Sequence, residues 1–501
     1  MVLILFLMGV ALPAAADQEY SHARIVRLSF VQGTVAVLAP GSDWANAPIN
    51  TPVQEGFQLS TDKGSFAEVQ FENGSTARLG ELSLVKFDQL GLTEAGDSLN
   101  VLTLNHGYGT FRVIPDKVES FEVHSGDAAF KAQGKAEFRV DLDQDRVRLE
   151  VFKGTLDVSS PGVSTTLARN DVLELTPGSE EAYSISRDIT RDDWDQWVAE
   201  RDEQEAENRP PAGSLQGSPA YGWSDLNNYG TWSYLEVCGY GWIPDVGAGW
   251  TPFSLGQWSW YPGFGYTWIS YQPWGWLPFH YGGWSLDPLF GWAWCPGNAW
   301  GPWIPANVVW YEGPGWFGWM PKPPTSPGRP IANPTRPAGC QGAPGCITAV
   351  NLRNFTSGRP VLPRDLVNVD PSQARQVAAP VIEPGRLASL PGTPVKLSSA
   401  LRAILNGDAL RSEHTGKASP GGGAWAHSAP SSAFVGPPQG IRGGDKGSWA
   451  GQPIHAGSAS APGWSRGGSP GSFEHSSPSS GAAISSGGGS ASHATASGPH
   501  K

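Results

Sequence analysis

Tryptophan recurs at a regular spacing in the middle of this 501-residue chain. The residues spaced by eight are Trp242, Trp250 and Trp258 and then, after two inserted positions, Trp268, Trp276, Trp284, Trp292 and Trp300. Glycine and proline, which both disfavour helix, fill the intervals, and this spacing is too short for a helical hairpin. It predicts strands of about three or four residues that alternate with tight turns over residues 221–320, which we call the Trp-rich module.

Three W-x-W triplets lie in this module. Because side chains alternate between the two faces of a strand, both rings of a triplet would lie on one side. The pairs are Trp258 with Trp260, Trp274 with Trp276, and Trp292 with Trp294. They predict a compact, meandering β-module with a ladder of indoles. Each indole buries about 150–250 Å², so we expect the ladder to be mainly structural, with a minority of rings available to a ligand.

The module carries no positive charge. Residues 210–320 contain five Asp or Glu and no Lys or Arg. Such a region cannot neutralise phosphates, which excludes nucleic acid as a ligand. It also lacks the cations that normally accompany aromatic residues at a membrane surface. Flat, uncharged indole faces suit the C–H faces of sugars or proline-rich peptides instead.

Residues 24–178 form a second region with a different pattern. Apolar and polar residues alternate in AEVQF and EFRVDL, which is typical of half-buried strands. Asn73-Gly74 and Lys153-Gly154 occupy positions where tight hairpins need positive φ. The region is predicted to be an all-β domain, a β-sandwich or a β-roll, without a helix, and we call it the N-terminal β-domain.

This domain resembles the FecR-like domain of bacterial envelope proteins over about 150 residues. The resemblance is carried by GTV at residues 33–35, EGFQLSTDKGSFAEVQFENGSTARLGELSLVKF, LNHGYGTFRV, FEVHSGDAAFKAQGKAEFRV and EVFKGTLDV. One departure is QGKAEFRV, where Lys135 and Ala136 replace the Thr of the family's usual Arg-Gly-Thr-like triplet. Signalling members of the family have a cytoplasmic helical module and a membrane helix ahead of this domain. Neither precedes it in this sequence, which disfavours direct contact with a sigma factor.

The Trp-rich module is similar to an uncharacterised domain that often follows FecR-like domains in exported bacterial proteins. The similarity lies in YGTWSYLE, GYGWIP, GYTWISYQPWGWLPFHYGGW and GWAWCPG. It implies the order of the domains and brings no established biochemical function with it.

The remaining segments are predicted from composition. Residues 1–16 read as a signal peptide with an Ala-x-Ala site, and no other segment offers a membrane span. Residues 191–209 form a charged linker helix whose Trp194 and Trp197 dock on a neighbouring domain. Residues 321–417 are rich in proline and partly ordered, with one short isolated helix in PVKLSSALRAILNGDALRS. Residues 418–501 form a disordered Gly/Ser/Pro-rich tail.

No catalytic residues, cofactor-binding motif or metal-ligand set is found, so we expect a protein that is not an enzyme and needs no cofactor. The candidate ligand face is Trp274, Trp276, His280, Tyr281 and Trp284, with the first two on one strand. His280 has an alternative role as a core imidazole bonded to a backbone group. The chain has four cysteines. Two pairings are open, Cys238 with Cys295 and Cys340 with Cys346.

These features predict an exported, periplasmic or secreted, cell-envelope protein that binds or scaffolds. Its partner would be peptidoglycan, another polysaccharide or an envelope protein. The alternative is a periplasmic sensor that acts through a separate membrane regulator.

Overall fold

The computed structural model describes residues 24–93, 96–115, 119–176, 183–207, 221–296, 302–324, 346–380 and 395–405. The expected signal peptide and the expected tail lie outside the described residues. The described part is mostly β-strand, so the prediction of an all-β fold is confirmed. None of its helices is long and apolar enough to cross a membrane.

The N-terminal β-domain consists of two sheets that share one long strand. Its strands are β1 Val26–Gln32, β2 Val35–Leu38, β3 Ala45–Asn46, β4 Pro52–Val53, β5 Gln58–Thr61, β6 Phe66–Gln70, β7 Thr76–Leu79, β8 Leu84–Leu92, β9 Ser98–Val113, β10 Glu119–Ser125, β11 Ala128–Ala132, β12 Ala136–Asp143, β13 Arg146–Lys153, β14 Thr155–Ser160, β15 Val163–Ala168, β16 Val172–Leu175 and β17 Tyr183–Ser186. Strand β9 pairs with β7 and β12 in one sheet and with β8 and β10 in the other. Gly107 of β9 has a φ of +80°, and a Cβ there would lie 2.4 Å from the Ser83 hydroxyl. Only glycine fits at this position between the two halves of β9. Strand β17, which pairs with β16, extends the sheet beyond the predicted boundary at residue 178.

A helix covers the outer face of one sheet. Helix α1, Asp193–Glu207, lies in the predicted linker. Its Trp194 is fully buried and stacks on Phe66 of β6, with 5.9 Å between ring centroids. Glu68 of the same strand is also buried, and it pairs with Arg78 at 2.7 Å. The expectation of half-buried strands is therefore wrong for β6 and β12, because α1 buries their polar face as well as their apolar one.

Buried charges fix this helix on the sheet. Arg78 of β7 binds Glu68 and also Asp202 of α1, each at 2.7 Å. Burial alone would raise the pKa of Glu68, but Arg201 and Arg78 hold it well below its usual range. If α1 left the sheet, the buried Arg78 would lose Asp202 as a partner, and loss of a partner from a buried ion pair is strongly destabilising. Helix α1 therefore belongs to the N-terminal β-domain rather than to a solvated connector.

The Trp-rich module is built from four β-hairpins. They are β18 Gly230–Leu235 with β19 Gly239–Pro244, β20 Gly256–Tyr261 with β21 Gly265–Ser270, β22 Gly283–Asp287 with β23 Gly291–Cys295, and β24 Val308–Gly313 with β25 Trp316–Pro321. The first and third hairpins join in one sheet in the order β18-β19-β23-β22, and the second forms a sheet of its own. The fourth extends into a sheet with β26 Thr348–Asn351 and β27 Arg375–Val377. Short helix α2 Ser224–Asn227 precedes the first hairpin, and short helices α3 Trp276–His280 and α4 Leu352–Thr356 connect later strands.

The repeating unit is a whole hairpin and not one strand and turn of eight residues. In each hairpin a Trp of the first strand lies directly opposite a Trp of the second. The opposed pairs are Trp232 and Trp242, Trp258 and Trp268, Trp284 and Trp294, and Trp310 and Trp319. The first members of these pairs are evenly spaced along the sequence, and we call the interval between them the hairpin repeat. The spacing of eight leads from a Trp of one strand to a Trp of the connecting segment, and from there to a Trp of the next strand. It therefore covers only part of the longer hairpin repeat.

Polar contacts hold the module against the N-terminal β-domain. Arg27 of β1 donates to the Asp225 carboxylate of α2 at 2.7 Å and lies over the Trp276 ring, 5.5 Å from its centroid. Asn50 is fully buried, and its side-chain amide donates to the Gln272 carbonyl at 2.9 Å. The position of the module on the domain is thus set by specific bonds as well as by apolar packing.

Candidate functional site

The five residues of the sequence-predicted ligand face all lie in the interior. Trp274, Trp276, His280, Tyr281 and Trp284 are each at most 7 % exposed. Trp276 begins α3 and Trp274 precedes it, so these two residues do not share a strand. The prediction that these residues form a ligand face is therefore wrong, because they are part of the core.

Hydrogen bonds explain why these polar rings are stable in the core. Nδ1 of His280 lies 2.8 Å from the Ile304 carbonyl, and Nδ1 is the donor because a carbonyl only accepts. Burial lowers the pKa of His280 to about 4, so the imidazole is neutral at physiological pH. The Trp284 indole donates to the Pro278 carbonyl at 2.8 Å. His280 is thus a core imidazole bonded to the backbone, the alternative role considered for it.

A row of four indoles crosses the sheet of the first and third hairpins. The row runs through Trp232, Trp242, Trp294 and Trp284, each directly opposite the next. All four side chains lie on one face because they occupy equivalent register positions. The face is covered by the rest of the module, and Trp242, Trp294 and Trp284 are fully buried. The ladder is therefore structural.

One disulfide links the hairpins of this sheet. Cys238, in the turn of the first hairpin, is bonded to Cys295 at the end of the third. Cys346 is also disulfide-bonded, while Cys340 lies outside the described residues. The bond between the first and third hairpins restrains that sheet from one end.

An apolar groove lies at the other end of the same sheet. Its volume is about 390 Å³, and it is lined by Pro244, Val246, Gly247, Ala248, Gly249, Trp250, Thr251, Leu286, Phe290, Gly291 and Trp292. None of these residues carries a charge. Trp250 is half-buried and packs on the core ring of Trp284, with 5.6 Å between centroids. The floor of the groove is therefore continuous with the rigid indole core.

The turn beside this groove exposes large apolar side chains. Residues 288–291, Pro-Leu-Phe-Gly, comprise the turn after β22 and the first residue of β23, and we call them the exposed tip. Leu289 is 86 % exposed and Phe290 is 44 % exposed. The Asp287 carboxylate accepts hydrogen bonds from both backbone amides, at 2.8 and 3.2 Å. The tip is thus a fixed projection that displays two apolar side chains at the rim of the groove.

The second hairpin has an equivalent turn in a different environment. Residues 262–265, Pro-Gly-Phe-Gly, lie one hairpin repeat before the exposed tip, and we call them the docked tip. The preceding Tyr261 is buried and stacks on Phe57 of the N-terminal β-domain, with 6.2 Å between centroids. Gln54 of that domain donates to the Pro262 carbonyl at 3.2 Å. In this protein a Pro-x-Phe-Gly tip therefore already serves as a contact with another domain.

A second concavity is charged, and both of its cationic residues are engaged in contacts. It measures about 870 Å³ and lies between α1 and the edge of β12 and β13. Lys153 binds Glu137 at 2.6 Å, and the Arg191 guanidinium lies 4.4 Å from the centroid of the Phe152 ring. Among the described residues no cluster of His, Cys, Asp and Glu is arranged to hold a metal ion. The apolar groove is the better candidate for a binding site.

Sequence reasoning missed the groove and the exposed tip. The signal was available, because Pro-x-Phe-Gly occurs twice, at the same interval that separates the opposed tryptophans of successive hairpins. The spacing of eight does not reveal this repeat, because it is shorter than the hairpin repeat. The stretch richest in aromatic residues lies in the core and not at the groove. Density of Trp marks the places that pack most tightly, whereas a binding surface is marked by apolar side chains that remain exposed.

Comparison with protein families gives two matches in the order seen in the sequence. The model for FecR protein matches residues 57–157, and the model for Family of unknown function (DUF6600) matches residues 223–326. Both sequence resemblances are confirmed: the chain carries a FecR domain followed by a domain of uncharacterised function. No curated protein matches the chain.

Two crystal structures of a candidate anti-sigma factor from Parabacteroides distasonis ATCC 8503 are similar to part of the chain. Their sequence identities to it are 19 % and 18 %. Each match covers 28 % of this chain and 62 % of the other, less than two thirds of its length, with a TM-score of 0.24.

Proposed function

From the combination of a FecR domain with an aromatic module that displays an apolar groove, we propose that this chain is an exported, non-enzymatic binding or scaffold protein of the cell envelope. In this proposal the N-terminal β-domain is the platform, and the groove with the exposed tip takes the ligand. The observation that carries it is the pair of apolar side chains, Leu289 and Phe290, held outside the fold at the rim of the groove. Export is supported by the apolar leader with its Ala-x-Ala site.

The lining of the groove favours a peptide over a glycan. Sugar hydroxyls need several polar partners, but Thr251 is the one lining residue with a hydroxyl side chain, and it is paired with Thr348 at 3.1 Å. Proline-rich segments, in contrast, dock in grooves lined by aromatic rings and need few hydrogen bonds. The ligand class is therefore an apolar, proline-rich segment of an envelope protein, with peptidoglycan and other polysaccharides as the less favoured ligands.

Binding can be followed through the groove's own tryptophans. A soluble polyproline peptide should change the fluorescence of the protein through Trp250 and Trp292 in a saturable way, and a chitin oligosaccharide should not. Leu289→Asp should weaken peptide binding at least tenfold, because it places a charge at the apolar rim. Leu352→Asp, at a site that is 45 % exposed and does not line the groove, is the matched control and should bind like the wild type. Binding of the sugar alone, or equal binding by both variants, would refute the peptide assignment.

A sensor role is the second candidate, and the FecR domain is what favours it. In that case the ligand of the exposed tip would be the periplasmic part of a membrane regulator. A cross-linker placed at position 289 would then capture this regulator, and deleting the regulator's gene would abolish the cross-linked product. A scaffold protein would still give its cross-linked product in the deletion strain.

A further inference from the structure

A segment far along the chain returns to the N-terminal β-domain. Helix α5, Ser399–Leu405, lies in the stretch expected to form an isolated helix. It is not isolated: Leu401 is fully buried and Ile404 is 9 % exposed. Residue Ser398, just before the helix, bonds to Asp62 of the N-terminal β-domain. The segment of residues 395–405 is therefore docked on that domain.

The contact involves the start of the helix. Ser398 is its N-cap: its carbonyl accepts from the Arg402 amide at 3.0 Å, and its hydroxyl accepts from the Leu401 amide at 3.1 Å. Because the hydroxyl accepts within the helix, its proton is free to be donated elsewhere. One carboxylate oxygen of Asp62 accepts a hydrogen bond from this hydroxyl, and the other accepts one from the Ser398 amide at 3.0 Å. A single carboxylate thus recognises both donors of a serine N-cap.

Asp62 is prepared for this role by its own turn. It lies between β5 and β6, and its amide donates to the Thr34 carbonyl at 3.0 Å. Its carboxylate also accepts from the Lys63 amide at 2.7 Å. Gly64 in the same turn has a φ of +64°, a conformation that glycine adopts without strain. These bonds within the domain orient the carboxylate toward whatever lies at this surface.

We propose that the Asp62 turn and the surface under Leu401 and Ile404 form a binding site for a short amphipathic helix with the pattern Ser/Thr-x-x-Leu-x-x-Ile, and that residues 395–405 are its resident ligand. The hydroxyl requirement follows from the geometry. An Asp N-cap has no proton to donate and repels Asp62, and a Gly N-cap has no side chain. The site is separate from the apolar groove, and it ties the C-terminal part of the chain to the FecR domain.

Covalent connection keeps the site occupied in the intact chain. A ligand in the same chain acts at an effective concentration of about millimolar, so a weak site is filled without tight contacts. A free peptide should therefore bind poorly to the wild type and well to a chain whose own segment is ejected. This difference separates a ligand site from ordinary packing.

The test uses the full chain and a labelled peptide of residues 395–405, titrated to millimolar concentration. Leu401→Asp in the protein should eject the resident segment, and peptide binding should rise at least tenfold over the wild type. Arg402→Asp changes an exposed residue of the same helix and should leave binding as in the wild type. Unaltered melting of Leu401→Asp would show that the domain is intact. No gain of peptide binding by that variant would overturn the proposal.

Asp62 is tested in the same background. Adding Asp62→Asn to Leu401→Asp should lower peptide affinity at least tenfold, because one of the two accepting carboxylate oxygens becomes an NH2 group, which cannot accept from its Ser398 donor. A peptide with Ser398→Thr should bind, and one with Ser398→Asp should not. Hydrogen exchange of residues 398–405 should also accelerate in the single variant Asp62→Asn. Equal affinity for the threonine and aspartate peptides would contradict the role of Asp62.

Discussion

The docked tip and the exposed tip are equivalent parts of successive hairpins that lie in different environments. Both carry Pro-x-Phe-Gly between paired strands, one hairpin repeat apart. In the docked tip, Phe264 is half-buried and packs against the core of the N-terminal β-domain, and its ring centroid lies 4.9 Å from that of Trp303 in the module. In the exposed tip, Phe290 is 44 % exposed. The same local sequence therefore forms the same turn, and the neighbouring domain decides whether the turn is covered.

This difference also separates stability from binding. Burial at the docked tip contributes to the free energy of folding, because the rings of Phe264 and of the preceding Tyr261 leave water when the two domains meet. The exposed tip keeps its apolar side chains in water and gains nothing until a partner covers them. We therefore expect changes in the hairpin interiors to be costly in both hairpins, and changes at the tips to be costly only where the tip is docked.

The largest expected effect lies in the interior that the two hairpins share. Trp258 and Trp284 are equivalent residues, 5 % and 0 % exposed. Replacing either by Ala should lower the free energy of unfolding by about 3–5 kcal/mol, as is usual for large aromatic deletions in a core. Urea unfolding measures it, with Tyr234→Ala, at a 73 % exposed site, as the control. A folded Trp284→Ala chain with wild-type stability would show that the interiors are not equivalent.

The next effect concerns α3, which connects the two hairpins. The pKa of His280 is lowered to about 4 by burial, against about 6.5 in an unfolded chain. The unfolded state therefore binds the proton more readily, so stability is complete above about pH 6.5 and falls as the pH drops toward about 4. The loss should reach roughly 3 kcal/mol. His280→Asn keeps a donor for the Ile304 carbonyl and should remove this part of the pH dependence. An unchanged slope across that pH range would mean that another group causes it.

A smaller effect is expected where the N-terminal β-domain holds the docked hairpin. Asn50 has a φ of +66° and donates to the carbonyls of Ser270 and Gln272. Asn50→Gly loses these bonds but suits the backbone, and it should cost about 1–3 kcal/mol. Asn50→Ala should cost about 1 kcal/mol more, because a side chain with a Cβ is strained at positive φ. Thermal unfolding of the pair separates the two contributions, and equal stability would show that the strain is absent.

The smallest effects compare the two tips directly. Phe264→Ala should cost about 1 kcal/mol, since its ring is half-buried at the docked tip. Phe290→Ala should change stability by less than about 0.5 kcal/mol, as exposed positions usually do. Both are measured by chemical unfolding under one condition. If Phe290→Ala proves the more costly of the two, the exposed tip is covered in solution, and the two tips do not differ in burial as described.

Much of the fold could be predicted from residues that are close in sequence. Alternation in AEVQF and turn residues such as Asn73-Gly74 give the strands of the N-terminal β-domain because side-chain period and turn chemistry are local properties. The same reasoning gives strands in the Trp-rich module but divides its repeat wrongly. It also misplaces the ligand face, because local pattern shows which rings share a side and not what covers that side.

By itself, then, the sequence determined the all-β class, the two domain types and the aromatic character of the module's core. The tertiary structure decided which surfaces remain free. Helix α1 covers the polar face of β6, the N-terminal β-domain packs against Phe264 of the tip at residues 262–265, and Leu289 and Phe290 of the tip at residues 288–291 stay exposed. The physical reason is that burial depends on partners distant in the chain. Two segments with the same local preferences can therefore differ completely in what they contact.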